Sequence, residues 1–352
     1  MIKLLSRNEI DDNQWNELIN TCSYGCCYAL TWYLDIVSPN WKALVFLQNG
    51  DYQAVMPLPI ATTFGIDYIK QPLFCQQLGV FSKNSDNISE IPDKVFLDFF
   101  AILFQHYNYV AEYSLNIGNN VFNKEVNQDA NLFIQTYKGL IINNLYHTHL
   151  LNLQQDYTTI YDNYNKDRKL NLKRAKLLQT NIIESQDINP LIEIFITETE
   201  HKIKGGVHVQ AYDLLRKVYQ ALLDRNMAKI YYTINQQQEI ESGILLVFSQ
   251  RKIIYLFNAA KTKYRKNNGR TLLIDHVLQL YANKEYDYFD FESPEIKDIS
   301  DFYQSFGAKP FPFLQIHYNH LPFWVQIPKK IRQLFSRYFI RLSYLCKKQP
   351  KS

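Results

Sequence analysis

Two kinds of residue in this 352-residue chain have the types and spacing to do chemistry, and they lie close together. The first is a cationic turn, Lys261 to Arg270, between a strand-like run KIIYLFNAA (Lys252 to Ala260) and the helical run TLLIDHVLQLYA. In Lys266-Asn267-Asn268-Gly269-Arg270-Thr271 a tight turn leads into a helix start, where backbone N–H groups and the positive end of the helix dipole converge as anion ligands. The alternative is an Asn-Asn-Gly turn that only reverses the chain. The second kind is carboxylate: Glu241 at the start of a strand, and Asp290 and Glu292 on YDYFDF and its end. A general base for an ammonium needs a pKa raised from the ordinary carboxylate range, and a strand flanked by core aromatics supplies the burial that raises it. Asp290 is expected to point away from Phe289 and Phe291, and Glu292 back with them. Each of the three also reads as a helix cap or an ion-pair partner. His201 and His208 are further candidates.

The elements that must position these groups follow from hydrophobic period and turn signals. In the first part, Asp11 to Asn20 reads as a helix, and WKALVFLQ and YQAVMPLPIA as strands about Asn49-Gly50-Asp51. IDYIKQPLF reads as extended, PDKVFLDFFAILFQHY as a helix, and YVAEYSLNI and LFIQTYKGLIIN as strands, with His147 to Leu153 closing the unit. From about Asp156 the pattern restarts with one basic helix, Thr159 to Leu178, on which Arg168, Lys169, Lys173, Arg174 and Lys176 form a cationic stripe. From strand TNIIES onward the order is β-α-α-β-β-β-α-β-α-β. The fold class expected is α/β (α+β), with domains at 1–155 and 156–325 and a basic amphipathic tail at 326–352.

Composition narrows the classes. The chain is 47% hydrophobic and 20% charged, which excludes disorder as its organising state. Of its 38 basic residues, eight fall in Gln326 to Ser352, which has no acid, so 30 face 34 acids elsewhere and the body is not a general nucleic-acid surface. The five cysteines match neither a disulfide framework nor zinc spacing, and fit a reducing cytoplasm. No signal-like or spanning apolar run is seen, so a cytoplasmic chain is expected. The tail could lie at the inner face of an anionic membrane or dock on the body. His147 and His149 share a face if extended but lack a third ligand, so no metal is expected. No nucleophile elbow, Walker loop or dinucleotide fingerprint is present.

The order from TNIIES onward, together with Ala54-Val55-Met56-Pro57-Leu58-Pro59, Arg168 to Lys176, Phe289-Asp290-Phe291 and Phe302 to Ala308, resembles the GCN5-related N-acetyltransferase (GNAT) fold. The arrangement resembles the tandem GNAT pair of Fem-like transferases and related acetyltransferases. The resemblance implies two GNAT-like domains, each a mixed, mostly antiparallel sheet flanked by helices, the first degenerate. It implies that the turn cradles the phosphates of a carrier through Arg265, Lys266, Asn268, Gly269, Arg270 and Thr271. The family's loop opens with Arg or Gln and ends with Gly or Ala; Lys266 and Thr271 depart from that, and Arg265 stands one residue earlier to supply a guanidinium. It further implies that a backbone N–H near Phe257, Asn258 and Ala259 polarises the acyl carbonyl, and that Tyr303, four before Gly307, protonates a leaving thiolate. Gly205, Gly206 and His208 would lie on a mobile loop at the acceptor side.

The activity implied is N-acyl transfer, from acyl-CoA (acetyl-CoA) as co-substrate, to a small-molecule or peptide amine by direct attack. The alternatives are Fem-like transfer from aminoacyl-tRNA to a cell-wall precursor, and a catalytically silent interaction protein held at a membrane by its tail.

Overall fold

The computed structural model describes residues 1–83, 92–119, 121–123, 128–178, 180–203, 205–293 and 296–322. The basic tail at 326–352 therefore lies outside the described residues. Among those described, no helix is long and apolar enough to cross a membrane.

The first half runs β1 (Ile2–Ser6), α1 (Asp12–Thr21), α2 (Thr31–Val37), β2 (Lys42–Gln48), β3 (Asp51–Leu58), β4 (Ile60–Thr63), β5 (Ile66–Lys70) and β6 (Phe81–Ser82). It continues through α3 (Asp93–His106), β7 (Tyr109–Ser114), α4 (Gln128–Thr136) and β8 (Leu140–Asn152). Local chemistry sets the boundaries. Asp11 caps α1 by accepting from the N–H of Asn13 and Gln14. Asn49 and Gly50, with φ of 54° and 91°, make the two-residue turn that matches the twist of β2 and β3. Leu132 to Thr136, expected as strand, is the end of α4, and the strand begins only at Leu140. Nothing in a nine-residue amphipathic stretch separates the two periods until tertiary contacts choose.

The second half runs α5 (Tyr157–Asp162), α6 (Lys166–Leu177), β9 (Asn181–Ser185), α7 (Asn189–Glu198), α8 (Val209–Leu223), β10 (Ala228–Ile234), β11 (Ile240–Ser249) and β12 (Lys252–Ala260). After these come α9 (Gly269–Tyr281), β13 (Tyr288–Asp290), α10 (Lys297–Gln304) and β14 (Lys309–Asn319). The single basic helix expected from Thr159 to Leu178 is two, broken at Asn163 to Asn165. Asn165 caps α6 by accepting from the Arg168 N–H, a bond that competes with a continuous helix.

From β9 onward the observed order is the expected β-α-α-β-β-β-α-β-α-β. The first half has that same order once hairpin β4–β5 is set aside. Two sheets result: β1-β2-β3-β6, and a ten-stranded sheet β4-β5-β7-β14-β8-β13-β12-β11-β10-β9. The halves exchange their last strands. β8, ending the first half, pairs with β13 of the second, and β14, ending the second, pairs with β7 of the first. β8 and β14 then pair with each other from Lys309↔Leu150 to Tyr318↔Leu140. One apolar core fills the first half and continues beneath α7 and α8; a second lies between the other face of the sheet and α5, α6, α9 and α10.

Helix α9 approaches that sheet closely at Gly269. A Cβ there would sit 2.5 Å from Ser242 Oγ and 2.7 Å from Thr233 Oγ1. Gly269→Ala should therefore destabilise the fold by about 1–3 kcal/mol through overpacking, measured by urea unfolding, with Ser242→Ala recovering part of the loss. Strictly additive costs would contradict the contact.

Candidate active site

The parallel ladder of β12 and β13 has three rungs, Lys252↔Tyr288, Ile253↔Phe289 and Ile254↔Asp290. Beyond Ile254 the strands part. From Tyr255 to Ala260 the β12 edge facing β13 has no strand partner among the described residues, while its other edge stays paired with β11 through Leu245↔Phe257, Ile244↔Asn258 and Gly243↔Ala259. The expected polarising stretch, Phe257 to Ala259, thus lies on an open edge. Phe257 packs on Phe195 of α7 with ring centroids 4.7 Å apart, and Asn258 Oδ1 accepts from Arg270 Nη1 at 3.2 Å. The corresponding corner of the first half is closed. There Asn116 Nδ2 donates to the carbonyls of Leu78 and Val80, Asn119 Nδ2 also donates to Val80, and Leu78 bridges Leu115.

The turn after β12 is a 3₁₀ segment, Thr262–Asn267, followed by Asn268 in the left-handed conformation at φ 57°. The residue that turns the chain is therefore Asn268, and Gly269 is the first residue of α9, small because of its contact with β10 and β11. Asn268 makes no side-chain cap, and the first N–H of the helix to find a backbone acceptor is that of Leu272, on Asn268 O. The start of α9 is thus an uncapped cluster of donors. Arg265 and Lys266 are exposed on the 3₁₀ segment, and Arg270 is exposed on the first turn of α9. Thr271 is buried, and its hydroxyl accepts from Arg168.

The basic stripe on α6 is not a single face. Arg168 is buried, with Nε on Ser305 Oγ at 2.8 Å and Nη1 on Thr271 Oγ1 at 2.5 Å, whereas Lys173, Arg174 and Lys176 are exposed. The helix break at Asn163 to Asn165 turns the first turn of α6 inward.

On the same face as α9 and α10, Tyr303 is buried and stacks on Phe291, centroids 4.6 Å apart and planes at 24°. Burial pushes its phenol up to about 12. Tyr255 lies 6.0 Å from both rings, and its buried hydroxyl has no hydrogen-bond partner among the described residues. The face where the strands part is thus lined with aromatic rings and carries one unmatched hydroxyl.

The opposite face belongs to both halves. Glu292 does not point with Phe289 and Phe291; it lies on the side of Asp290, where strand parity puts it. β13 ends at Asp290, and Glu292 takes a left-handed conformation at φ 46° that brings its carboxylate to the first half, where the Tyr28 hydroxyl donates to Oε1 at 2.5 Å. Burial, and then the charge of Asp290, hold its pKa well above the usual carboxylate range. Asp290 itself is an ion-pair partner: its Oδ2 is 3.6 Å from Lys252 Nζ, and its Oδ1 accepts from Thr148 and from the Glu292 N–H. Burial opposes the charge on Lys252, but the surrounding Cys26, Asp290 and Glu292 outweigh it and hold its pKa up. Tyr24, Cys26, Gln76, Gln77 and Asn116 complete a small polar cleft with these groups.

Glu241 is 2% exposed at the far end of the open edge, opposite Lys261. Its Oε1 accepts from Asn267 Nδ2 at 2.6 Å, its Oε2 has no partner among the described residues, and burial raises its pKa. Gly205 and Gly206, at φ 93° and 71°, connect the end of α7 to α8, and His208 is the residue before α8. His149 hydrogen-bonds Ser293, Ser300 and Gln304, and among the described residues no cluster of three ligand side chains could hold a metal.

Sequence reasoning missed Tyr28, Lys252, Tyr255 and the burial of Arg168. Lys252 begins a strand and reads as a surface cation, and Tyr28 is 264 positions from its carboxylate, so no local spacing marks either.

No family model and no curated sequence matches the chain. Solved structures do. FemX superposes with a TM-score of 0.63 at 11% identity, covering 90% of this chain and 98% of that one. A tandem GNAT protein from the clavulanic acid biosynthesis pathway gives 0.53 at 10% identity, covering 92% and 99%. L-PGS from Bacillus licheniformis gives 0.50 at 12%, covering 92% and 96%. At these identities the likeness establishes the fold.

The raised pKa of Glu292 has a signed consequence. A carboxyl that holds its proton more tightly when folded adds stability at acidic pH and loses it as pH rises through the raised pKa. Glu292→Gln, which keeps an acceptor for Tyr28, should thus gain in melting temperature over the parent as pH increases from 5 to 9. An offset that stays constant with pH would contradict a titrating Glu292.

Proposed function

Because the chain carries the tandem GNAT fold in the arrangement of FemX, we propose that it is an acyltransferase that moves an acyl group from a phosphorylated carrier, acyl-CoA, to an amine. One observation carries this reading. The open edge of β12 runs toward an uncapped helix start flanked by guanidiniums, so a carrier's extended arm can add to the edge like a strand while its phosphates meet the start of α9. The acyl carbonyl then lies by Phe257 to Ala259, where backbone N–H groups on the open edge take up the charge that develops on its oxygen. The amine nitrogen attacks the carbonyl carbon from the side shared with the first half. Glu292 takes the ammonium proton, the C–S bond breaks, and the thiolate leaves with a proton from a phenol of the Tyr255 and Tyr303 pair. No covalent enzyme intermediate is required.

Aminoacyl-tRNA as donor is the second reading, and the exposed Lys173, Arg174 and Lys176 on α6 favour it. It shares the phosphate site and differs in salt dependence. The acceptor is an amine of a small molecule or a peptide, and the Gln76 side chain is the cleft amide best placed to meet the body behind that amine.

Calorimetric titration of the full chain with acetyl-CoA, a long-chain acyl-CoA and charged tRNA tests the proposal. Saturable acetyl-CoA binding is expected, weakened by about tenfold or more when Arg265, Lys266 and Arg270 are made neutral together. Steeply salt-dependent binding of tRNA with none of CoA would transfer the reading to the tRNA donor. Binding of neither carrier would overturn it in favour of a silent interaction protein. With a donor identified, Glu292→Gln is expected to lower kcat by about 10²–10⁴-fold.

A further inference from the structure

Arg168 comes from α6, an element that precedes the sheet of the second half, yet its guanidinium ends beside the start of α9. It is 8% exposed, and no carboxylate comes within ion-pair distance of it among the described residues. Two neutral hydroxyls hold it, Ser305 Oγ through Nε and Thr271 Oγ1 through Nη1, and Nη2 makes no hydrogen bond among the described residues. Its Cζ lies 4.3 Å from the centroid of Phe302 and 4.7 Å from that of Phe306. Arg270 also lies over Phe302, with Cζ 5.4 Å from the centroid. Burial, and then the charge of Arg270, bring the Arg168 pKa down to about 10. Two like charges thus share one aromatic floor at the positive end of a helix, an arrangement that is costly unless a negative group completes it. The hydroxyl of Tyr255, 3% exposed in the same aromatic cluster as Tyr303, has no hydrogen-bond partner among the described residues.

We propose that Arg168 and Arg270 are the two arms of a clamp for a phosphate ester, closing over the start of α9 with Phe302 as its floor. The clamp rests on the reading of this face as the donor side and assigns much of the donor's affinity to a residue outside the glycine turn. A planar guanidinium fixed through Nε and Nη1 presents its free Nη2 in one direction, so the fork gives geometry that a lysine ammonium cannot reproduce. A bracket that merely fastened α6 to α9 and α10 would gain nothing from a second guanidinium over the same ring.

The test is titration of the full chain with inorganic pyrophosphate, CoA and tRNA, comparing the parent with Arg168→Gln, Arg168→Lys and Arg270→Gln. Arg168→Gln is expected to weaken pyrophosphate binding about tenfold or more, and Arg168→Lys to recover only part of it. If Arg168→Gln keeps the parent's melting temperature and binds pyrophosphate and the carriers as the parent does, the clamp is overturned and the donor reading stands. If pyrophosphate binds and depends on Arg168 while neither carrier binds, the clamp stands and the donor reading falls. CoA or tRNA binding that depends on Arg168 supports both and identifies the source of the phosphate. Should Arg168→Gln fail to fold, the Nε–H resonance of Arg168 in the parent decides. A shift on adding pyrophosphate supports the clamp, and an unmoved resonance overturns it.

Discussion

The pair of partly buried Lys252 and buried Asp290 stands at the point on which the rest of the site depends. Asp290 occupies the last rung of the β12–β13 ladder, and Lys252 is the first residue of its partner strand, so the pair ties the two strands together just before they separate. Removing one partner of a buried ion pair leaves an uncompensated charge and costs about 3–5 kcal/mol. Thr148 from the first half binds the same carboxylate, which makes the junction of the halves part of the tie. Beyond it the chain needs something other than a neighbouring strand to satisfy the open edge of β12.

The exchange of β8 and β14 explains how two similar halves become one site. Each half lends its last strand to the other, so β13 is flanked by β12 of its own half and by β8 of the first. This puts Tyr28 and Cys26 against the end of β13 and makes the first half a wall of the cleft. Its own corner is laced shut by Asn116 and Asn119, so in the two halves the same architecture serves once as support and once as an opening. The guanidiniums of Arg168 and Arg270 thus lie on one face of the sheet and the Glu292 carboxylate on the other.

Much of this was legible in the sequence because it is local. Strand period two, the Asn-Gly turn at Asn49 and Gly50, and the cationic turn before α9 each declare themselves within ten residues, and the order from β9 to β14 follows from them. What could not be read depends on distant partners. Asn165 outcompetes the continuous helix because the Arg168 side chain gains a seat between Thr271 and Ser305, more than a hundred positions away. Strand parity alone puts Glu292 on the Asp290 side, but its left-handed backbone and its meeting with the Tyr28 hydroxyl depend on a residue of the other half. The strand exchange leaves no trace in either half, because β8 and β14 would look the same paired at home.

Hydrogen exchange of the amides from Tyr255 to Ala260 tests the central claim most directly. If β12 is open on this edge, amides there that point away from β11 exchange far faster than those of Lys252 to Ile254, and adding acetyl-CoA or charged tRNA slows them selectively. Uniform protection along all of β12 without any carrier, unchanged when one is added, would contradict the account.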